Sequence, residues 1–463
     1  MSIRVRFAPS PTGNVHIGNI RAAIFNWLFA RHGGGAFLLR VEDTDRERST
    51  PEAIRTLLDV MTWLGLSYDE APVYQSAQRV RHLAAAEELV RQGHAFRENK
   101  EGKGECIVFR MPKEGRVEYA DLVKGTIRKK AEDTQDFVIV RSDGNPVFHL
   151  ANVIDDIDMR ITHIIRGDDH VENTFKHIQI FRALGAEPPQ YAHLPMIVNA
   201  MGKPYSKRDG AAFVGEFRDQ GFLPEALFNF LALLGWAPGE DRELMTRDEM
   251  VAAFTLDRCK SSAARFDHKK LTWMNGEYIR RLSPADFTAA FRKQVAVAGR
   301  QAPQAVAAPA VAANVNSVVA QAVQQMSDSE IAPILAQVQP RTKFYAEIPG
   351  NCAYFFHEEY PFDAKSEEKR LKPAGVPELL DAVVARFEAL PEFDHASTEA
   401  VLRAMGEERG VGLGGMVHPV RVAVSGLSDG PGLFEMLVLL GRACVCTRLR
   451  RVACRLRDGC DIS

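Results

Sequence analysis

His16 and Lys207 lie far apart in the chain, and each sits in a short segment whose residue types suit a nucleoside triphosphate. The first segment, Pro9 to Gly18, carries two prolines and two glycines in ten residues. Proline stiffens such a loop, and glycine lets backbone come close to a ligand. A histidine at the start of the following helix can donate to phosphate oxygens, and the helix N-terminus favours negative charge. The second segment, Gly202-Lys203-Pro204-Tyr205-Ser206-Lys207-Arg208, reads as a loop of clustered cations able to close over a leaving group. Between them, Glu42 ends an apolar strand and suits a substrate ammonium. Arg166 ends another strand, and its fork suits a carboxylate. Asp168, Asp169 and His170 offer metal-type donors, but they sit too close in sequence to make a complete ligand set. Each feature alone has a plain alternative: a tight turn, a satisfied histidine, a capping carboxylate, a solvated loop. Their order along one chain favours the chemical reading.

The elements that position them follow from periodicity. Ile3 to Phe7 predicts a strand. Ile20, Ile24, Trp27 and Leu28 recur at helical spacing, so Asn19 to about Arg31 predicts an amphipathic helix, ended by Gly33-Gly34-Gly35. Phe37 to Val41 predicts a second strand, and Thr50-Pro51 caps and opens the next helix. This βαβα order predicts a doubly wound parallel sheet, whose ligands bind at the carboxyl ends of the strands. The pattern breaks into a polar loop around Asn99 to Gly104, and residues 105–150 read as short strands. The second half of the sheet resumes with Ile161–Ile165, a helix from about Asn173 to Leu184, and a strand from Ala192 to Val198. From Pro224 the chain reads as mostly helical, with a linker turning into helix over 301–325. The expected division is 1–72 for the first half of the catalytic domain, 73–155 for an insertion, and 156–240 for the second half. A region at 241–305 and a helical unit at 306–463 complete it.

At 463 residues the chain exceeds one hydrophobic core. Its 46% apolar and 25% charged residues are those of a soluble globular protein, and its net charge of −2 excludes a globally basic nucleic-acid binder. A tRNA-sized partner would need a local basic face. Met1 to Val5 does not read as a secretory leader, and no apolar run is long enough for a membrane span. Seven cysteines occur, only Cys106 and Cys259 of them in the first half or so, which suits a reducing cytoplasm without disulfides.

His16-Ile17-Gly18-Asn19 has the form of the motif HIGH, and Pro204-Tyr205-Ser206-Lys207-Arg208 that of KMSKS. Further matching stretches are Arg40 to Arg46, His149 to Asp156, Ile164 to His170, Phe222 to Leu227 and Phe266 to Gly276. His418 to Arg421 and Pro431 to Glu435 match near the end. Jointly these resemble a bacterial-type glutamyl-tRNA synthetase, a class I aminoacyl-tRNA synthetase, over most of the chain. The resemblance implies a multidomain α/β fold: a Rossmann-like catalytic domain with a tRNA acceptor-binding insertion, a stem-contact region and an all-α anticodon-binding domain. It implies ATP-dependent attachment of L-glutamate to tRNA(Glu) through a glutamyl-adenylate, with tRNA present for activation. Arg6, Ser10, Glu42, Phe148, Asn152 and Arg166 would surround glutamate. Pro9, Thr12, Gly13, His16, Gly18, Asn19, Ser206, Lys207 and Arg208 would hold ATP, with His16 and Lys207 catalytic. Mg2+ would arrive with ATP, no zinc is expected, and the protein is expected to be a cytoplasmic monomer. Use of tRNA(Gln) stays open.

Four places depart from the family's pattern. Phe148 stands where relatives carry a tyrosine. Pro204 and Tyr205 replace a lysine and a small apolar residue, with Lys203 one place earlier. The insertion has only Cys106 where some relatives bind zinc. The tail runs to Ser463 with Cys444, Cys446, Cys454 and Cys460. Three rivals remain. A glutamine-specific synthetase carries Pro-Glu-Pro-Asn where this chain has Pro9 to Thr12. A short relative that modifies a tRNA base lacks the C-terminal domain. A catalytically impaired paralogue would bind tRNA as a regulatory or interaction module.

Overall fold

Short apolar strands alternate with helices through the first part of the chain, and this alternation builds the layer that carries the cleft. A computed structural model describes residues 2–11, 13–45, 48–99, 104–298 and 319–458. The chain divides into two compact units, Met1–Met274 and Asn275–Ser463. The first unit opens with β1 (Arg4–Phe7), α1 (Ile17–His32), β2 (Ala36–Val41), α2 (Pro51–Trp63), β3 (Val73–Tyr74) and α3 (Arg79–Arg91). There follow β4 (Ala95–Asn99), β5 (Glu105–Phe109), β6 (Arg116–Asp121), β7 (Gly125–Lys130), β8 (Phe137–Val140) and α4 (Phe148–Asp158). The sheet resumes with β9 (His163–Gly167), α5 (Val171–Ala183), β10 (Gln190–Leu194) and β11 (Ile197–Val198).

β1 pairs in parallel with β2, and β2 with β3. β9 pairs in parallel with β10, and β10 meets β6 at Tyr191 and Asp121. The Thr162 N–H donates to the Arg4 carbonyl at 2.9 Å, which ties the start of β9 to β1. Val5, Phe37, Leu38, Ile164 and Ile165 are buried, as strands covered on both faces require. α1 is apolar on nearly every side, with Ile20, Ile24, Phe25 and Leu28 buried. α2 has a single buried stripe, with Thr50 accepting from the Ala53 N–H and Pro51 at the first helical position. The β6–β7 hairpin, from within residues 73–155, extends the parallel sheet, while β4, β5 and β8 form a separate antiparallel sheet.

Three expected boundaries move for local reasons. α1 starts at Ile17 rather than Asn19, because the His16 ring caps it by accepting from the Gly18 N–H at 3.1 Å. α5 starts at Val171, led in by a single tight turn at Asp168–His170. The strand expected over Ala192–Val198 breaks between Leu194 and Ile197, where Pro195 has no N–H to donate.

The second unit is helical. Val376–Glu388 and Arg442–Asp458 share a core through Leu380, Val383, Val445 and Leu449. Arg448 is buried on the last helix and donates to the carbonyls of Val424 and Tyr354, both at 2.8 Å. Residues 319–325 are helical, while the expected linker over 301–318 and Cys460 lie outside the described residues, as do residues 100–103 of the polar loop. No described helix is long and apolar enough to cross a membrane.

Candidate active site

The carboxyl ends of β1, β2, β9 and β10 open on one cleft of about 550 Å3. A doubly wound sheet puts ligands there because the strand order reverses at that point. Of the expected residues, Arg6, Pro9, Ser10, His16, Gly18 and Asn19 line it. Glu42, Phe148, Asn152 and Arg166 line it as well. Gly13, Ser206, Lys207 and Arg208 are not among the lining residues, and Thr12 lies outside the described residues. Gly13 has φ +110, a conformation that favours glycine.

His16 joins the first motif segment to the stretch that follows the second. Its neighbours pair with residues 212–214 in strand fashion: the Ile17 N–H donates to Ala212 and the Val214 N–H to Val15, each at 3.0 Å. Its ring meets Phe213 edge-on at 5.9 Å. Burial lowers the His16 pKa, against smaller opposing effects of Glu216 and the Tyr205 backbone. With Nδ1 accepting from Gly18, a neutral His16 carries its proton on Nε2. The N–H groups of the helix start are already engaged. Ile17 N–H is taken by Ala212, Gly18 N–H by the His16 ring, and Asn19 and Ile20 N–H by the His16 carbonyl. What the helix start still offers is its dipole. Glycine at 18 leaves the ring room, since a β-carbon there would stand 3.3 Å from His16 Nδ1, tighter than ordinary van der Waals contact. Gly18→Val is expected to turn the ring and lower kcat at least tenfold, with Gly18→Ala milder, measured by steady-state kinetics.

The cationic loop is folded by two side chains. Asn199 Oδ1 accepts from the Met201 and Lys203 N–H groups at 2.9 and 3.0 Å. Asp209 accepts from the Ser206 N–H at 2.9 Å, the Ser206 hydroxyl at 3.1 Å and Asn199 Nδ2 at 2.7 Å. Tyr205 is buried and stacks on Phe266 at 4.5 Å, with its hydroxyl on the Ala211 carbonyl and on His268. Lys207 Nζ lies 4.6 Å from the Phe213 ring centroid and makes no ion pair among the described residues.

Of the buried arginines here, Arg6 and Arg40 pair with carboxylates, while Arg166 and Arg21 donate only to neutral groups among the described residues. Arg6 donates to Asp156 at 3.0 Å. Arg40, fully buried, reaches Asp156 at 2.5 Å, Asn152 at 2.6 Å and Glu42 at 3.2 Å. Burial alone would lower the Arg40 pKa, but Asp156, Glu42 and Asp155 outweigh it and raise it. Asp156 is held below the carboxylate range because Arg40 and Arg6 overcome its burial. Glu42 Oε1 also accepts from Asn152 at 2.7 Å, leaving Oε2 without a partner among the described residues. Arg166 meets only neutral groups: His193 at 3.3 Å, Thr174 Oγ1 at 2.7 Å and the His170 carbonyl at 3.3 Å. Burial pushes its pKa down to about 10.

Sequence reading missed Arg40, Asp156 and Arg21. The usable sign was a charge inside an apolar run: Arg40 within Phe37–Val41, and Asp155-Asp156 within α4. Arg21 lines the cleft from α1, and donates to Leu234 and Pro195 carbonyls. Phe148 lines the cleft, but His149 turns away to His177 at 3.2 Å and packs on Phe137. Burial brings the His149 pKa to about 4. Among the described residues no cluster of three or more His, Cys, Asp or Glu side chains is placed to hold a metal.

A parallel sheet wound on both sides, with a histidine-capped helix stitched to a cationic loop at its carboxyl edge, is the catalytic architecture of a class I tRNA synthetase. The family model described as the catalytic domain of class I tRNA synthetases (E and Q) matches residues 2–102 and 97–273, and an anticodon-binding-domain model matches 311–453. The chain belongs to this glutamate and glutamine family of class I tRNA synthetases. It is 38% identical to glutamate–tRNA ligase 2 of Koribacter versatilis, over 97% of each chain. It is 39% identical to the glutamate–tRNA ligase of Akkermansia muciniphila, over 97% of this chain and 98% of that one. A solved glutamate tRNA ligase of Elizabethkingia meningosepticum, in complex with its amino acid, superposes with a TM-score of 0.83 at 27% identity, covering 98% of this chain and 100% of that one. Membership of this class carries ATP as a substrate.

Proposed function

We propose that this chain attaches L-glutamate to tRNA(Glu) at the expense of ATP. A glutamate α-carboxylate oxygen attacks the α-phosphorus of ATP in line, and the bond to the pyrophosphate breaks. The terminal ribose hydroxyl of tRNA then attacks the carbonyl of the glutamyl-adenylate, and AMP leaves. No protein nucleophile is needed, so catalysis rests on positioning and charge. The observation that carries this reading is Arg166, a buried cation facing the cleft with no carboxylate partner among the described residues. A buried charge left uncompensated is costly, so the site calls for an anion.

In this reading Glu42 Oε2 receives the glutamate ammonium. Arg6 and Arg166 divide the two carboxylates, with Ser10, Asn152 and Phe148 completing the pocket. His16 donates from Nε2 to ATP phosphate, within the loop of Pro9, Thr12, Gly13, Gly18 and Asn19. Lys207, with Ser206 and Arg208, closes on the departing pyrophosphate, and Mg2+ arrives with ATP. Residues 73–155 take the acceptor end of the tRNA, 241–305 its stem and 306–463 its anticodon, in a cytoplasmic monomer.

Burial raises the Glu42 pKa, against the opposing pull of Arg40. The ionised form pairs with the ammonium, so binding is lost as pH falls through that raised value. The acid limb of kcat/KM for glutamate should therefore lie above the ordinary glutamate side-chain value, and Glu42→Gln should lower kcat/KM and remove that limb. A pH–rate profile of both proteins checks this.

The reading is tested by charging purified tRNA(Glu) and tRNA(Gln) with labelled glutamate, ATP and magnesium. Charging of tRNA(Glu) alone gives a discriminating enzyme, and charging of both a non-discriminating one. Charging of neither, with tRNA still bound, would favour the impaired paralogue and point to Phe148, Pro204 and Tyr205.

A further inference from the structure

Arg166 owes its orientation to buried groups on three other elements. His193, on β10, is fully buried, and its Nδ1 lies 2.6 Å from Asp121 Oδ2, at the end of β6. Asp121 is itself fixed by the Val123 and Lys124 N–H groups at 3.0 and 2.9 Å and by the His193 N–H. The other ring nitrogen, His193 Nε2, faces Arg166 Nε at 3.3 Å and Thr174 Oγ1 at 3.0 Å. Thr174, on α5, is fully buried and accepts from Arg166 Nη2 at 2.7 Å. The Tyr191 ring lies beside the guanidinium, 5.6 Å from its carbon.

An arginine N–H can only donate, so His193 Nε2 must accept. The imidazole is then neutral, with its proton on Nδ1 and donated to Asp121. Burial also disfavours the charged imidazole, against the pull of Asp121. The contrast with Arg6 is informative: Arg6 touches the Asp156 carboxylate directly. At Arg166 the imidazole stands between carboxylate and guanidinium, so Asp121 orients the arginine without pairing with it. Two of its nitrogens are held by neutral acceptors, and Nη1 has no partner among the described residues.

We propose that Asp121, His193 and Thr174 form a positioning relay that holds Arg166 by neutral acceptors and keeps Nη1 and the positive charge for a substrate carboxylate. This rests on the assignment of glutamate to the cleft. Asp121→Asn keeps the shape but places an amide donor within reach of Nδ1. That favours the tautomer with a proton on Nε2, which opposes the Arg166 N–H. Thr174→Val keeps the volume and removes the Nη2 acceptor, whereas Thr174→Ser retains the hydroxyl.

The test is aminoacylation of tRNA(Glu) by the full chain and these variants, with KM for glutamate and ATP, kcat and the melting temperature measured for each. Asp121→Asn and Thr174→Val are expected to raise KM for glutamate about tenfold or more, as loss of one hydrogen bond to a charged group does. KM for ATP should stay near wild type, kcat at saturating glutamate should be largely kept, and Thr174→Ser should restore KM. An unchanged glutamate KM in both variants overturns the relay alone, as does a Thr174→Ser variant as impaired as Thr174→Val. Equal rises in the KM values for ATP and glutamate, tracking the melting temperature, would also overturn it, since they mark a structural role. No glutamate charging by the unmodified chain overturns the relay and the proposed function together.

Discussion

Lys207→Ala is expected to lower kcat for aminoacylation by about 10²–10³-fold, the usual cost of removing one charge-stabilising donor from a transition state. KM for glutamate should change little, because Lys207 is not among the residues lining the cleft. Its ammonium lies against the Phe213 ring, and Phe213 pairs with His16. The Lys207 charge is not spent on an ion pair among the described residues, so it is available for the pyrophosphate as negative charge builds there. The loop around it is already shaped by Asn199, Asp209 and the Tyr205 stack on Phe266. Proline at 204 therefore need not disorder the loop, since the Tyr205 N–H still pairs with the Ile197 carbonyl at 3.0 Å. Steady-state and single-turnover kinetics separate the two parameters. Wild-type kcat in the variant would remove Lys207 from the chemistry.

Arg166→Ala is expected to act on the other substrate. Removing one partner of a buried ion pair costs about 3–5 kcal/mol, so kcat/KM for glutamate should fall by roughly a few hundred- to a few thousand-fold. Most of that should appear in KM for glutamate, with KM for ATP little changed. Arg166→Lys should not restore it, because lysine lacks the planar fork that meets His193 and Thr174 while leaving one nitrogen for the ligand. The same balance rejects glutamine: with one carboxylate in place of two, it leaves one of the two arginines without its anion. Wild-type-like glutamate KM in Arg166→Ala would sink this role.

The residues that line the cleft were legible where local pattern and special residue types coincide. The loop of Pro9 to Gly18 and the strand ends at Glu42 and Arg166 stand out because they interrupt apolar periodicity. The Thr50-Pro51 helix start was legible for the same kind of reason, since capping is a local property. What escaped was set by tertiary pairing. Arg40 reads as one polar residue in a strand, and only the fold brings Asp156 and Asn152 to it. The ring of His16 moved the helix start, because a side-chain cap competes with propensity. Asp121 closes β6, and nothing local says that β6 will pair beside β10 and put it against His193.

The most direct test of the central claim, that this cleft activates glutamate, is exchange of labelled pyrophosphate into ATP with tRNA(Glu) present. Glutamate should support exchange, glutamine should support little, and Arg166→Ala should abolish most of it at wild-type glutamate concentrations. Exchange that is equal with glutamine, or absent although tRNA is bound, would contradict the account.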